Sequence, residues 1–231
     1  MGIVTTKAVK KDYQQGTHTV HALAGVDLDI EPGEFTALMG PSGSGKTTLL
    51  NLIGGLDAPT SGQVVVDGQD LASMGGGGRS KIRLNHLGFV FQAYNLIPVL
   101  SAYENAEFVL LLQGVSASER RDKVMKVLAD VGLKGMEKRR PHELSGGQQQ
   151  RVAVARAIVS SPALVLADEP TANLDSSTGE ALLDTMKELN RSRGVTFLFA
   201  THDPKVMRRA TRVVTLADGV VVKDERKNGD G

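Results

Sequence analysis

The sequence predicts an α/β fold, with a β-rich start, a parallel-sheet core around a phosphate-binding loop, and a helical insertion. Three observations carry this. Two unbroken apolar runs, residues 163–167 (Ala-Leu-Val-Leu-Ala) and 196–200 (Thr-Phe-Leu-Phe-Ala), have the length and residue types of strands covered on both faces. A third, Phe35–Met39, leads into Gly40-Pro41-Ser42-Gly43-Ser44-Gly45-Lys46-Thr47-Thr48, which fits the phosphate-loop pattern G-x-x-x-x-G-K-[ST]. From Ser101 to about Arg140 the period becomes helical, with Val124, Val127, Leu128 and Val131 recurring on one face.

The elements follow in chain order. Residues 23–30 alternate, Val26, Leu28 and Ile30 against Asp27 and Asp29, as a half-buried strand does. Glu31-Pro32-Gly33 is a turn. After Phe35–Met39 and the glycine loop, a helix starts near Gly45 and carries Leu49, Leu50, Leu52 and Ile53 inward. Residues 62–67 hold a strand (Gln63-Val64-Val65-Val66) between turn residues. Gly75-Gly76-Gly77-Gly78 is expected to be a flexible loop tip. Leu87–Phe91 is another strand. Ser116 and Glu119 have the spacing of a capping box at a helix start. Ser145 and Gly146 open a long helix whose apolar face holds Val152, Val154, Ala155, Ile158 and Val159.

Composition narrows the function. A chain of 231 residues makes one large domain, or a domain with an inserted subdomain. Its 27 basic and 26 acidic residues leave a net charge of +1, without the basic field of a nucleic-acid binder. With no cysteine there are no disulfides or thiolate metal sites, in keeping with a reducing cytoplasm. No apolar run nears the roughly 20 residues that cross a bilayer; the nearest, Phe108-Val109-Leu110-Leu111-Leu112, is closed by Gln113. The start of the chain has no signal-peptide core. It does fit M-G-x-x-x-[ST], the myristoylation pattern, whose loosely specified positions match often by chance. The expectation is no direct membrane insertion and no nucleic acid, with any membrane role supplied by a partner.

Polar chemistry begins where three apolar strands end: Met39 leads into the glycine loop, residue 167 into Asp168-Glu169, and residue 200 into Thr201-His202. Ligands of open α/β sheets bind outside the carboxyl ends of the strands, so these ends describe one pocket. The loop glycines let backbone N–H groups turn onto a phosphate, and Lys46 adds a positive charge for the β- and γ-phosphates. Thr47 offers Mg²⁺ a hydroxyl, and Asp168 reads as the aspartate that holds Mg²⁺ largely through water. Glu169 stands one residue further out, as a general base for the attacking water. His202 would meet charge developing on the γ-phosphate. Gln92 can offer its amide oxygen to the metal or the water. Ser145, Gly146, Gly147 and Gln148 form a second anion site at the positive end of their helix. Two such sites in one chain suit two copies stacked head to tail.

Taken together, the glycine loop and Leu144-Ser145-Gly146-Gly147-Gln148 resemble the phosphate loop and signature sequence of ATP-binding cassette (ABC) ATPases. The resemblance covers nearly the whole chain. Tyr13 resembles the aromatic that stacks on adenine, Gln92 the Q-loop, Ala172-Asn173-Leu174-Asp175 the D-loop that couples the two copies through Asp175, and His202 the switch histidine. It implies a P-loop NTPase fold in a single domain over 1–231. About 1–92 and 144–231 would form a RecA-like core with an antiparallel β subdomain, and about 93–143 the helical insertion subdomain. It further implies ATP and Mg²⁺ as cofactors, a homodimer, integral membrane permease subunits as partners, and a cytoplasmic location on the inner face of the membrane through that permease.

Gly88-Phe89-Val90-Phe91-Gln92 and the later Asn95-Leu96-Ile97-Pro98-Val99-Leu100-Ser101-Ala102-Tyr103-Glu104-Asn105 resemble the ATPases of lipoprotein-releasing and macrolide-exporter systems, which implies ATP-driven mechanical work relayed through the membrane. The alternatives are an ATPase that regulates a periplasmic enzyme through a membrane partner, as in the cell-division relative, and a soluble non-transport ABC ATPase. Residues 93–103, with Tyr94, Leu96, Ile97 and Leu100, are expected to offer a partner helix an apolar surface.

Overall fold

Strand pairing divides the chain into two sheets, here in a computed structural model that describes residues 2–227. The first holds β1 (Val4–Gln15), β2 (His18–Ile30), β4 (Ser61–Val66) and β5 (Gln69–Asp70), all antiparallel, in the order β2-β1-β4-β5. The alternation expected in residues 23–30 is present, Val26, Leu28 and Ile30 being buried. The first strand has no such pattern. Beyond Val9 its residues are polar and lie at or near the surface, and it is a strand because β2 and β4 pair with its two edges. Left-handed Ala8 (φ 47°) sits at the register shift between Thr6 and Val9, as in a β-bulge. Gly2 is explained by packing, because a Cβ there would stand 2.7 Å from the carbonyl oxygen of Ile30.

The second sheet contains β3 (Phe35–Met39), β6 (Leu87–Phe91), β7 (Leu164–Asp168), β8 (Phe197–Ala200), β9 (Arg212–Ala217) and β10 (Val220–Arg226), in the order β10-β9-β3-β8-β7-β6. All pair in parallel except β10, which runs antiparallel to β9. Both faces are covered, as the apolar runs require. Phe197 and Phe199 join one core cluster, while Leu198 and Ala200 join the other. Phe35 anchors the first of these, its ring centroid 5.5 Å from that of Phe197 and 4.6 Å from that of Phe199.

Helix α1 (Lys46–Ile53) buries Leu49, Leu50, Leu52 and Ile53 as expected. The tetraglycine is not a loop tip. Gly75 caps α2 (Gly76–His86), and the other three glycines form its first turn, held there by burial of Ile82 further along the helix. None of the four is left-handed, and a Cβ at Gly75, Gly76 or Gly77 would meet nothing within 4 Å. Gly77→Ala is therefore expected to stabilise the protein by up to about 1 kcal/mol, the backbone-entropy difference in a helix, raising Tm by about 2–4 °C. A thermal melt in which Tm falls would show that the glycine is required.

The helical block comprises α3 (Ala102–Leu112) and α4 (Ala117–Asp130). The capping box expected at Ser116 is half formed: its side chain accepts from the Glu119 N–H, but Glu119 pairs with Lys123 at 2.8 Å. Complete boxes occur at Ser101 with Glu104, and at Ser145 with Gln148 on α5 (Gly146–Ile158). Two further helices, α6 (Ser176–Arg193) and α7 (Pro204–Arg209), follow β7 and β8. The carboxyl ends of β3, β7 and β8 thus lie side by side, where the pocket was expected.

Candidate functional site

The glycine loop bends because its glycines adopt conformations closed to other residues. Gly40 has φ 148°, and a Cβ there would lie 2.2 Å from the carbonyl oxygen of Leu216; at Gly45 (φ 100°) it would lie 2.6 Å from that of Ala22. Packed between β9 and β2, the loop opens on a cavity of about 620 Å³. Gly40, Pro41, Ser42, Gly43, Gly45, Lys46, Thr47, Thr48, Gln92, Glu169 and His202 all line it. Ser44 lies beneath, 3% exposed. Lys46 folds over the loop, its Nζ donating to the carbonyls of Gly40 and Pro41 at 2.8 Å each.

Asp168 meets the cavity through Thr47, whose Oγ1 donates to its Oδ1 at 3.3 Å. Burial pushes the Asp168 carboxyl above its ordinary pKa, the Thr47 bond opposing. A hydroxyl, a carboxylate and the nearby Gln92 amide are hard oxygen donors, few in number, which fits Mg²⁺ completed by phosphate and water. Among the described residues no group of three or more His, Cys, Asp or Glu could hold a metal without such help.

Glu169 is bound at both oxygens. His202 Nδ1 lies 2.6 Å from Oε1, and Thr201 Oγ1 donates to Oε2 at 2.9 Å. Its backbone is left-handed (φ 46°), a conformation that costs an L-residue about 1–3 kcal/mol and is common at functional sites. Thr201 is fully buried and receives the Asp203 N–H at 3.0 Å. Its importance escapes sequence reading, although a hydroxyl after an apolar strand and before the histidine is the available signal. Gln92 is tied to Asn173 by two bonds, Gln92 Nε2 to Asn173 Oδ1 at 3.2 Å and Asn173 Nδ2 to the Gln92 carbonyl at 3.0 Å.

The remaining expected residues stand apart from the cavity. Tyr13 does not line it: its hydroxyl donates to Asp57 Oδ2 at 2.9 Å, and Lys11 Nζ sits 4.8 Å from the ring centroid. Burial and the Asp57 carboxylate raise the phenol above its ordinary pKa. Val20, the cross-strand partner of Tyr13, lines the cavity with His21 and Ala22. Ser145, at the tip of α5, is exposed and outside the cavity. Its Oγ accepts the Gln148 N–H at 3.3 Å, and Gln148 Oε1 accepts the Ser145 N–H at 3.0 Å, so the Gln148 side chain serves the cap. A Cβ on Gly147 would fall 2.2 Å from Thr178 Cγ2, and one on Gly146 would fall 2.9 Å from the Tyr94 hydroxyl. These glycines let the tip of α5 approach α6 and Tyr94 closely. Asp175 caps α6, accepting from the Thr178 N–H at 3.0 Å and Ser177 Oγ at 2.7 Å; these bonds hold its carboxyl well below the usual range.

The apolar surface expected over 93–103 is narrower than its composition suggests. Leu96 and Tyr103 pack on the core, and Val99 is the large apolar side chain left exposed, at 71%. No helix among the described residues is long and apolar enough to cross a membrane.

Residues 23–172 match the family model described as ABC transporter. The chain is 47% identical to the lipoprotein-releasing system ATP-binding protein LolD of Anaeromyxobacter dehalogenans, covering 98% of this chain and 96% of that one. It is 44% identical to the macrolide export ATP-binding/permease protein MacB of Syntrophobacter fumaroxidans over 100% of this chain, but spans only 32% of that longer protein. Among solved structures, the ATP-binding cassette MJ0796 of Methanocaldococcus jannaschii, described as dimeric, post-hydrolysis and bound to ADP and Pi, superposes with a TM-score of 0.89 at 44% identity, covering 98% of this chain and 99% of that one.

Proposed function

The chain belongs to the ABC transporter family as an ATPase, and from that premise we propose that two copies close head to tail around two MgATP, driving a membrane-embedded permease. One observation carries the reading. Ser145, at the positive end of α5, is exposed, yet neither it nor Gly146, Gly147 or Gln148 lines the cavity of its own chain. A second copy would bring that anion-binding tip over the phosphate held by Lys46. The M. jannaschii cassette, dimeric with ADP and Pi, supports this stoichiometry.

In this reading Lys46 exchanges the carbonyls of Gly40 and Pro41 for the β- and γ-phosphate oxygens. Thr47, Asp168 and Gln92 hold Mg²⁺, which when bound neutralises phosphate charge. Tyr13, beside Val20, faces adenine. Glu169 Oε1 exchanges His202 for the attacking water and accepts its proton; the water oxygen bonds to the γ-phosphorus, and the bond to the β-bridging oxygen breaks, leaving ADP and phosphate. His202, released from Glu169, donates to the γ-phosphate. Asp175 lies where the two copies couple. About 93–143 forms a subdomain that moves against the core, about 1–92 and 144–231, and passes that motion to the permease.

The likeness to the lipoprotein-releasing and macrolide-export proteins supports mechanical work through the membrane as the output. The chain would then sit at the cytoplasmic face, held there by the permease. Sedimentation tests this. The chain should pellet with membranes carrying its permease and stay in the supernatant with protein-free anionic liposomes. Pelleting with the liposomes would contradict permease-only attachment. Gly2→Ala is a poor control for lipidation, since the added methyl group collides with Ile30.

A further inference from the structure

We infer that Gln150 is a positioning residue, linking the helix that carries Ser145 to the loops that carry Gln92 and Glu169, so that capture of one nucleotide is felt at the hydrolytic groups of the other site. The inference rests on the head-to-tail dimer proposed above. Gln150 lies on α5 with Ser145 at its cap, and is fully buried. Its Nε2 donates to two carbonyls, Phe91 at 3.2 Å and Pro170 at 2.8 Å. Phe91 directly precedes Gln92, and Pro170 directly follows Glu169. Both amide protons are thus spent on the ends of two neighbouring strands, β6 and β7, paired at Phe91 and Asp168. Turning the amide over would set its oxygen against two carbonyl oxygens, so its orientation is fixed.

The same helix grips the Gln92 loop a second time. Arg156 donates to the carbonyls of Asn95 at 2.5 Å and Tyr94 at 3.0 Å, both residues being left-handed, with φ 51° and 57°. Just past Arg156, α5 rests directly on β6, where a Cβ on Gly88 would fall 2.2 Å from the carbonyl oxygen of Ala157. A tilt of α5 at Ser145 therefore shifts Gln92 and the loop after Glu169 with it. Simple packing would not select this residue. Val152, Ala153, Val154 and Ala155 pack the same helix with apolar groups, whereas Gln150 Oε1 is buried with no partner among the described residues, a cost an apolar residue avoids.

The test compares the full-length chain with Gln150→Met, which keeps the volume and removes both donors, and Gln150→Asn, which keeps the amide but shortens its reach. Steady-state hydrolysis is followed against MgATP concentration. For the folded variants kcat should fall about tenfold, roughly 1.4 kcal/mol of barrier, and the Hill coefficient from near 2 towards about 1. Binding of a fluorescent ATP analogue to the single chain, which needs only the Lys46 side, should change less than about twofold. Unchanged kcat and cooperativity in folded Gln150→Met would overturn the inference, and so would failure of both variants to fold, which would make Gln150 part of the core. The dimer reading is checked separately in Glu169→Gln with Gln150 intact. If that protein does not dimerise with ATP, the parent reading falls; if it does while Gln150→Met hydrolyses normally, only this inference falls.

Discussion

Glu169→Gln is expected to lower ATP turnover by about 10²–10⁴-fold, the usual loss when a general base is removed, while MgATP still binds. The amide has nearly the shape of the carboxylate and can still accept from Thr201, whose hydroxyl lies 2.9 Å from Oε2. It cannot take a proton from water. Nor does its loss disturb Lys46, Thr47 or the glycine loop, which make no bond to Glu169, so nucleotide affinity should hold. Phosphate release from ATP by the purified protein measures the effect. Turnover near that of the parent chain would remove Glu169 from the base role.

Ser145→Arg is expected to abolish ATP-driven association and, with it, nearly all hydrolysis, by about 10²-fold or more if the composite site supplies electrostatic stabilisation. The fold should tolerate the change. Ser145 is exposed, and its cap bond to the Gln148 N–H is long, at 3.3 Å; losing a cap costs about 0.5–2 kcal/mol. Association would not tolerate it, since the bulky side chain stands where a γ-phosphate held by the other copy must approach the α5 N–H groups. Binding of a single nucleotide, which uses Lys46 and the loop glycines, should be unaffected. A Ser145→Arg protein that hydrolyses ATP as the parent does would place the site within one chain.

Much of this site is legible in the sequence because its signals are local. A glycine loop ending in Lys46-Thr47, and polar residues stepping off apolar runs at Asp168-Glu169 and Thr201-His202, each declare themselves within a few residues. Parallel strands covered on both faces likewise announce themselves as unbroken apolar runs. What is not legible depends on distant partners. Thr201 gains its role from Glu169, Asn173 from Gln92 and Gln150 from Phe91, across sequence separations of 32, 81 and 59 residues. The Tyr13 hydroxyl is likewise held by a distant partner, Asp57, 44 residues further on.

The fold divides in the same way. The first strand is polar over much of its length and is held by pairing on both edges, so periodicity alone does not reveal it. The tetraglycine reads locally as a break, yet it forms a helical turn because the remainder of α2 is anchored by Ile82. Tertiary burial outweighs propensity there. The capping pattern at Ser116 is met in spacing but not in full, because a nearby lysine competes for Glu119.

The central claim, a nucleotide shared between the Lys46 loop of one copy and the Ser145 tip of another, is tested most directly by light scattering of Glu169→Gln with MgATP. The protein should have the mass of one chain without nucleotide and of two chains with it, and adding Ser145→Arg should return it to one chain with ATP still bound. A mass that stays at one chain with ATP, or a dimer that survives Ser145→Arg, would contradict the account.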